Sequence, residues 1–212
     1  MPTKTIPGPS YKPGLLLTLF TGVLLILFSL LMGRDSVFLF FNHDLGKPAD
    51  YFFSFWTNMG DGAIWVLVAV LVWVYSRKHF PLLLSSIILS TLITQLAKNF
   101  IFPGVLRPTA AIKDVHLIHT VPGVELLTSF SFPSGHTAAA FTIFLLGAVL
   151  IPKKWILPIG FLYALLVGYS RVYLAEHYPL DVGGGMITAI ITLYLSLQIQ
   201  FKFEKNNRNA KG

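Results

Sequence analysis

The sequence predicts an all-α integral membrane protein with six transmembrane helices, and three observations carry that prediction. Of 212 residues, 54% are hydrophobic and only 12% are charged, about half the charge of an ordinary soluble domain. The apolar residues fall in six long runs, giving a mean hydropathy of +0.69. The basic residues cluster between those runs, mostly on one side of the implied bilayer.

A helix needs about 20 mostly apolar residues to cross hydrocarbon, where free backbone groups find no water. The first run, residues 15–32, has 18 residues without a charge. The second, 62–76, has 15, and extends outward past Asp61 into Phe52-Phe53-Ser54-Phe55-Trp56. Residues 80–97 give another 18, and 137–151, 155–170 and 182–201 supply 15, 16 and 20. The shorter runs must end in polar residues at the membrane surface. Two connections are long. Residues 33–57 place Phe38-Leu39-Phe40-Phe41 among charges, the pattern of an amphipathic stretch in the interface. Residues 101–133 are rich in turn formers (Pro103-Gly104, Pro108, Pro122-Gly123, Pro133), which marks a functional or disordered loop.

Positive charge sets orientation. Six crossings put Lys4, Lys12, Arg77, Lys78, Lys153, Lys154, Lys202, Lys205, Arg208 and Lys211 on one side with a single acid, Glu204. The remaining six basic residues share the other side with eight acids. Both termini are therefore expected in the cytoplasm, with 1–14 and 202–212 as solvated tails of one domain spanning 1–212. The first run is longer than a signal-peptide core, and Leu31-Met32-Gly33-Arg34-Asp35 offers no small-x-small cleavage site, so it is expected to be retained. The net charge of +7 is explained by these topology signals and not by a nucleic-acid partner. With no cysteine, a disulfide framework, a thiolate metal site and a Cys nucleophile are excluded.

On this layout the unusual polar residues gather at the outer face. Lys98 ends the third run and Arg107-Pro108 follows it. Pro133-Ser134-Gly135-His136 opens the fourth, Ser170-Arg171 ends the fifth, and His177 and Asp181 lead into the sixth. Each alone has a bland reading: cations at helix ends snorkel to headgroups, and Ser-Gly before a helix is a cap. Accidents would scatter over both faces, and these do not. Three cations near membrane depth call for an anion. Arg offers a fork to phosphate oxygens, Lys a point charge, and Ser134-Gly135 a hydroxyl and backbone N–H groups at a positive helix end. His136 and His177 transfer protons near neutral pH. Asp181, four residues after His177, is suited to accept from one ring nitrogen and leave the other free to attack phosphorus. The sum is a phosphate site with a nucleophile, an orienter and an acid.

Lys98…Arg107-Pro108, Pro133-Ser134-Gly135-His136 and Ser170-Arg171-(five residues)-His177-(three residues)-Asp181 resemble the three-part signature of the type 2 phosphatidic acid phosphatase family. The second and third parts fit without gaps. The first has eight residues between Lys98 and Arg107 where the family usually has six. The resemblance implies a metal-independent phosphatase without a cofactor that works through a phosphohistidine. His177 is then the nucleophile, Asp181 its orienter and His136 the acid that protonates the leaving oxygen. Lys98, Arg107, Ser134, Gly135 and Arg171 form the phosphate cradle.

The implied partner is a membrane lipid phosphate: undecaprenyl diphosphate first, or phosphatidic acid, phosphatidylglycerol phosphate or lipid A. The charge pattern suits a bacterial inner-membrane enzyme with its active site on the periplasmic face. A phosphotransferase passing the phosphoryl group to an acceptor lipid fits the same residues. A lipid or anion transporter has no use for the His177–Asp181 pair and shows no inverted repeat. A rhomboid-like protease with Ser134 as nucleophile lacks the expected preceding Gly. His116 and His119 lack further ligands at helical spacing and are not expected to hold a metal. Asp61 reads as a helix cap.

Overall fold

Backbone groups in hydrocarbon must bond within their own segment, and the apolar runs accordingly fold as helices. The computed structural model describes residues 7–209, which hold no strand. In chain order the helices are α1 Tyr11–Met32, α2 Arg34–Phe41, α3 Lys47–Trp56, α4 Ile64–Ser76, α5 Phe80–Leu96, α6 Pro108–Ala111, α7 Gly135–Leu150, α8 Ile156–Tyr173 and α9 Pro179–Asn209. By length and composition four described helical stretches can cross a membrane: Tyr11–Met32, Ile64–Ile101, Ile156–Tyr173 and Pro179–Asn207. Ile64–Ile101 is broken by a 3₁₀ turn at Arg77–His79. Its arms fold back, because Trp65 at the start of α4 and Thr94 near the end of α5 line one cavity. Gly135–Leu150 is apolar and shorter.

α9 is the hub, packed along α1, α5 and α7. Its first turns carry Gly183-Gly184-Gly185, and small residues let backbones approach closely where lipid supplies no hydrophobic drive. A Cβ on Gly183 would lie 2.7 Å from the carbonyl oxygen of Gly22, and one on Gly185 would lie 2.7 Å from that of Ser134. Gly185→Ala is therefore expected to cost about 1–3 kcal/mol by overpacking, read as a lower melting temperature in detergent. An unchanged melt would show that the contact yields freely. Further along, buried hydroxyls at Thr188, Thr192 and Ser196 of α9 accompany Ser86, Ser90 and Thr94 of α5. Ser86 and Thr188 each donate to the carbonyl four residues earlier (2.8 and 2.9 Å). At the far end, Gln200 accepts from Leu82 N (3.1 Å) and donates to Lys78 O (3.0 Å), which satisfies the open start of α5.

These contacts sort the molecule into two ends. Gly8 N donates to Val149 O (2.9 Å) and Ser10 Oγ to Lys153 O (3.1 Å), so the chain start, the 77–79 and 151–155 turns and the far part of α9 share one end. The turn at 57–62, the loop at 102–134 and the α8–α9 junction lie at the other.

Some expectations are corrected and others refined. The second run does not continue into 52–56: Asp61 is extended (φ −82°, ψ 167°) and separates α3 and a 3₁₀ turn from α4. Residues 33–57 fold as α2 and α3, with one face on the core, where Val37 and Phe38 are buried and the Phe38 ring lies edge-on to Tyr178 at 5.5 Å, while Phe40 and Phe55 stay exposed. Residues 202–209 continue α9 as a mostly exposed helix, and Ser10 is buried against the 153 turn, so the first expected tail is partly packed. Lys4 and Lys211 lie outside the described residues.

Candidate active site

Three of the expected residues arrive from the α8–α9 junction. Arg171 lies in the last turn of α8, and its carbonyl accepts from both Glu176 N (2.9 Å) and His177 N (3.0 Å). Ala175 makes the reversal in the left-handed region (φ 57°), unusual for a residue with a Cβ. Asp181 sits in the first turn of α9. Its Oδ2 accepts from Ser131 Oγ (2.5 Å), Tyr178 N (2.9 Å) and His177 Nδ1 (3.3 Å). Three donors fix the carboxylate. With Nδ1 donating to it, His177 carries its lone pair on Nε2.

His177 is 1% exposed. Burial holds its imidazole well below the ordinary range, and the charges of Arg107, Arg171 and Lys98 push the same way. The ring is therefore neutral, as a nitrogen nucleophile must be. An unfolded chain protonates this histidine near pH 6.5, about the free value, while the folded chain resists. Stability is thus present above that pH and lost as pH falls toward the folded-state value, by up to about 1.4 kcal/mol per pH unit. The melting temperature of the parent should drop more steeply than that of His177→Asn between about pH 7 and 5. Equal slopes would mean the imidazole is not held neutral.

Arg107 comes from the 102–134 loop, directly before α6. Its backbone N donates to Thr128 O (3.0 Å) and its Nε to Ser129 O (3.0 Å). Its Nη1 donates to Glu176 O (3.0 Å) and is ion-paired to Glu176 Oε2. Arg171 Nη2 reaches the same Oε2 at 3.3 Å, and its Nη1 donates to Thr57 Oγ1 at 2.6 Å. Glu176 thus bridges the two guanidinium groups. The buried Nε of Arg171 has no hydrogen-bond partner among the described residues, a donor left for a ligand oxygen.

Ser134 caps α7: its Oγ accepts from Thr137 N (3.4 Å) and Thr137 Oγ1 (2.9 Å), while its backbone N donates to Asp181 O (3.0 Å). Its own hydroxyl proton stays available. Lys98, in a π turn at Ala97–Ile101, is half-buried and feels the charges of Arg107, Asp181, Arg171 and Glu176. The longer connection to Arg107 runs through that wide turn and a second turn at Gly104 (φ +74°). His136 and Gly135 open onto a cavity of about 240 Å³ that Asp61, Trp65, Thr94 and Gln95 also line. Asp61 accepts from Gly62 N (2.6 Å) and does not cap α4, whose N-cap is Ala63 with no side-chain bond, so the expected helix cap is not formed; the charge of Asp61 reaches His136.

The structure therefore brings Arg107, Arg171, His177 and Asp181 into one bonded network with Ser134, and sets Lys98 and His136 within electrostatic range of it. The sequence reading missed Ser131, Glu176 and Thr57. Glu176 had a signal, as an acid directly before the candidate nucleophile. Such a cluster, a neutral buried histidine held by a carboxylate and within the field of two guanidinium groups, is equipped for attack on a phosphate whose oxygens the cations neutralise.

The sequence matches the PAP2 superfamily over residues 80–205. An undecaprenyl-diphosphatase of Sulfolobus acidocaldarius is 30% identical over 203 residues, covering 90% of this chain and 92% of that one. A lipid A 4'-phosphatase of Bacteroides thetaiotaomicron is 30% identical over 161 residues, 72% of this chain and 70% of its own. Among solved structures, Aquifex aeolicus LpxE superposes with a TM-score of 0.66 at 32% identity, covering 77% of this chain and 93% of that chain. A phosphatidylglycerolphosphate phosphatase of Bacillus subtilis shares the fold, with a TM-score of 0.58 at 21% identity over 88% of this chain and 94% of its own. On the extent of these matches, this chain belongs to the PAP2 superfamily.

Proposed function

We propose that the protein is an integral membrane phosphatase of lipid phosphates and diphosphates, acting through a phosphohistidine on His177. The observation that carries this reading is His177 itself: neutral, buried, and oriented by Asp181 within the field of Arg107 and Arg171. His177 Nε2 attacks phosphorus, the P–N bond forms, and the bond to the leaving oxygen breaks as His136 gives it a proton. Water then attacks the same phosphorus, His136 takes the proton, and the P–N bond breaks to release phosphate. Arg107, Arg171, Lys98, the Ser134 hydroxyl and the Gly135 N–H hold the equatorial oxygens throughout. These cations supply the charge stabilisation that a metal supplies elsewhere, so no metal is required in the chemical steps.

The substrate class follows from the setting. An amphiphile keeps its tail among the helices while its phosphate reaches the cluster. An apolar groove of about 570 Å³ between α4, α7 and α8, lined by Val68, Val72, Ile143, Gly147, Ile156 and Gly160, reaches toward the 151–155 end of the bundle, opposite the cluster, and is suited to the far part of a long hydrocarbon chain. Undecaprenyl diphosphate is the first choice, with phosphatidic acid, phosphatidylglycerol phosphate and lipid A as related candidates; relatives bearing three of these activities in their names support the class. The chain is read as crossing the membrane six times, both termini in the cytoplasm of a bacterial inner membrane and the site on the periplasmic side.

The test is phosphate release by purified protein in detergent with EDTA, from a panel of these lipids, with and without an acceptor lipid. Release that survives EDTA supports the reading, and the best substrate names the class. Silence without acceptor but transfer with it would replace hydrolysis by phosphotransfer. Silence in both arms overturns the reading.

A further inference from the structure

We propose that Asp44, Asp50 and His119 form a binding site for a divalent transition-metal ion, apart from the catalytic cluster and independent of the function proposed above. A carboxylate oxygen from each aspartate and a ring nitrogen of His119 lie within 4.8 Å of one another. His119 Nε2 stands 3.1 Å from Asp50 Oδ1. Two ligands of one ion with bonds of about 2.1 Å stand about 3.0–3.4 Å apart, so this pair already has the spacing of a shared coordination sphere. Asp44 is exposed, and its Oδ1 accepts from Gly46 N (2.7 Å).

The neighbours hold these ligands in place. Asn42, 2% exposed, grips both backbone groups of His119: its Oδ1 accepts from His119 N (2.7 Å) and its Nδ2 donates to His119 O (3.1 Å). The same Nδ2 donates to Val172 O and Tyr173 O, both at 3.0 Å. Tyr173, fully buried, donates its hydroxyl to Asp50 Oδ1 (2.7 Å) and lays its ring 4.8 Å from that of His119. Outer partners that orient ligands in this way are what a metal site requires. Asp50 and His119 are half-buried and Asp44 opens the site to solvent, which gives an ion a route in and leaves room for water ligands.

One imidazole with two carboxylates selects a borderline ion such as Zn²⁺ or Mn²⁺ over Ca²⁺ or Mg²⁺, which prefer oxygen alone. A plain His119–Asp50 ion pair and the turn bond from Gly46 N to Asp44 Oδ1 (2.7 Å) explain the residues singly but not the convergence of all three ligand atoms. His116, the other histidine of the loop, is exposed and outside the group. The ion would tie three segments together: the 42–50 connection, the long loop through His119, and the last turn of α8, where Tyr173 stands two residues beyond Arg171.

The test uses untagged full-length protein in detergent, stripped with EDTA and exchanged into metal-free buffer. Zn²⁺ or Mn²⁺ is expected to bind at about one per chain and to raise the melting temperature by about 5–10 °C at 100 times its dissociation constant, while Mg²⁺ does so weakly. Asp44→Asn, which keeps the acceptor for Gly46 N, should weaken metal binding at least about tenfold while leaving the metal-free melt and phosphate release unchanged. His119→Gln should lose the metal effect too, with a lower metal-free melt because the Asp50 pair is gone. No saturable shift in the parent overturns the proposal, as does a shift in Asp44→Asn equal to the parent's.

Discussion

His177→Ala is expected to lose roughly 10⁴–10⁶-fold in phosphate release, the range seen when an enzyme's nucleophile is removed. The expectation rests on position as much as on residue type. The imidazole is buried, neutral, and aligned by a carboxylate that three donors hold, and no neighbouring side chain can take its place. Arg107 and Arg171 are tied to Glu176 and not to the imidazole, so substrate affinity should survive within a few-fold. Acid-quenched reactions with labelled substrate should trap a phosphorylated chain in the parent and none in the variant. Turnover within a few-fold of the parent would remove His177 from its role.

Glu176→Ala should have the largest effect on stability. Its carboxylate is shared by two guanidinium groups in a buried setting, and deleting one partner of a buried ion pair costs about 3–5 kcal/mol because the other charge is left uncompensated. For a chain of this size that is a drop of roughly 10 °C in melting temperature. Glu176→Gln keeps the shape and one acceptor oxygen and should lose less. Inorganic phosphate should recover part of the loss in Glu176→Ala, since an anion replaces the missing charge between the same arginines. A melt unchanged from the parent would show that the bridge carries no net weight.

The contrast between these residues explains what the sequence made legible. His177 and Asp181 stand one helical turn apart, and Arg171 is tied to His177 by a local reversal, so their spacing along the chain already encodes their spacing in space. The apolar runs were equally plain, because hydrocarbon admits few charges and their absence marks a helix. Glu176 was not legible in this way. Its partner Arg107 lies 69 residues earlier on a loop whose path no periodicity describes, and in sequence it is one of eight acids on the outer side. Ser131 was hidden by the same distance, 50 residues from the carboxylate it serves. Within 33–57 the sequence shows the amphipathic pattern but not which face packs inward. An aromatic such as Phe38 looks alike whether it meets lipid or the edge of Tyr178, and only the position of α9 decides.

The place of α9 also bears on how the protein is made. It follows the other described helices along the chain, yet it fills the centre of the bundle: Gln200 satisfies the start of α5 from 118 residues away, and Gly183 seats against Gly22. Until it inserts, the hydroxyl faces of α5 and the glycine-lined side of α1 have only lipid beside them, and the nascent chain lacks Asp181. Membrane insertion and closure of the candidate site are thereby separated in time: a chain made only as far as α8 is embedded with its interior open and without Asp181.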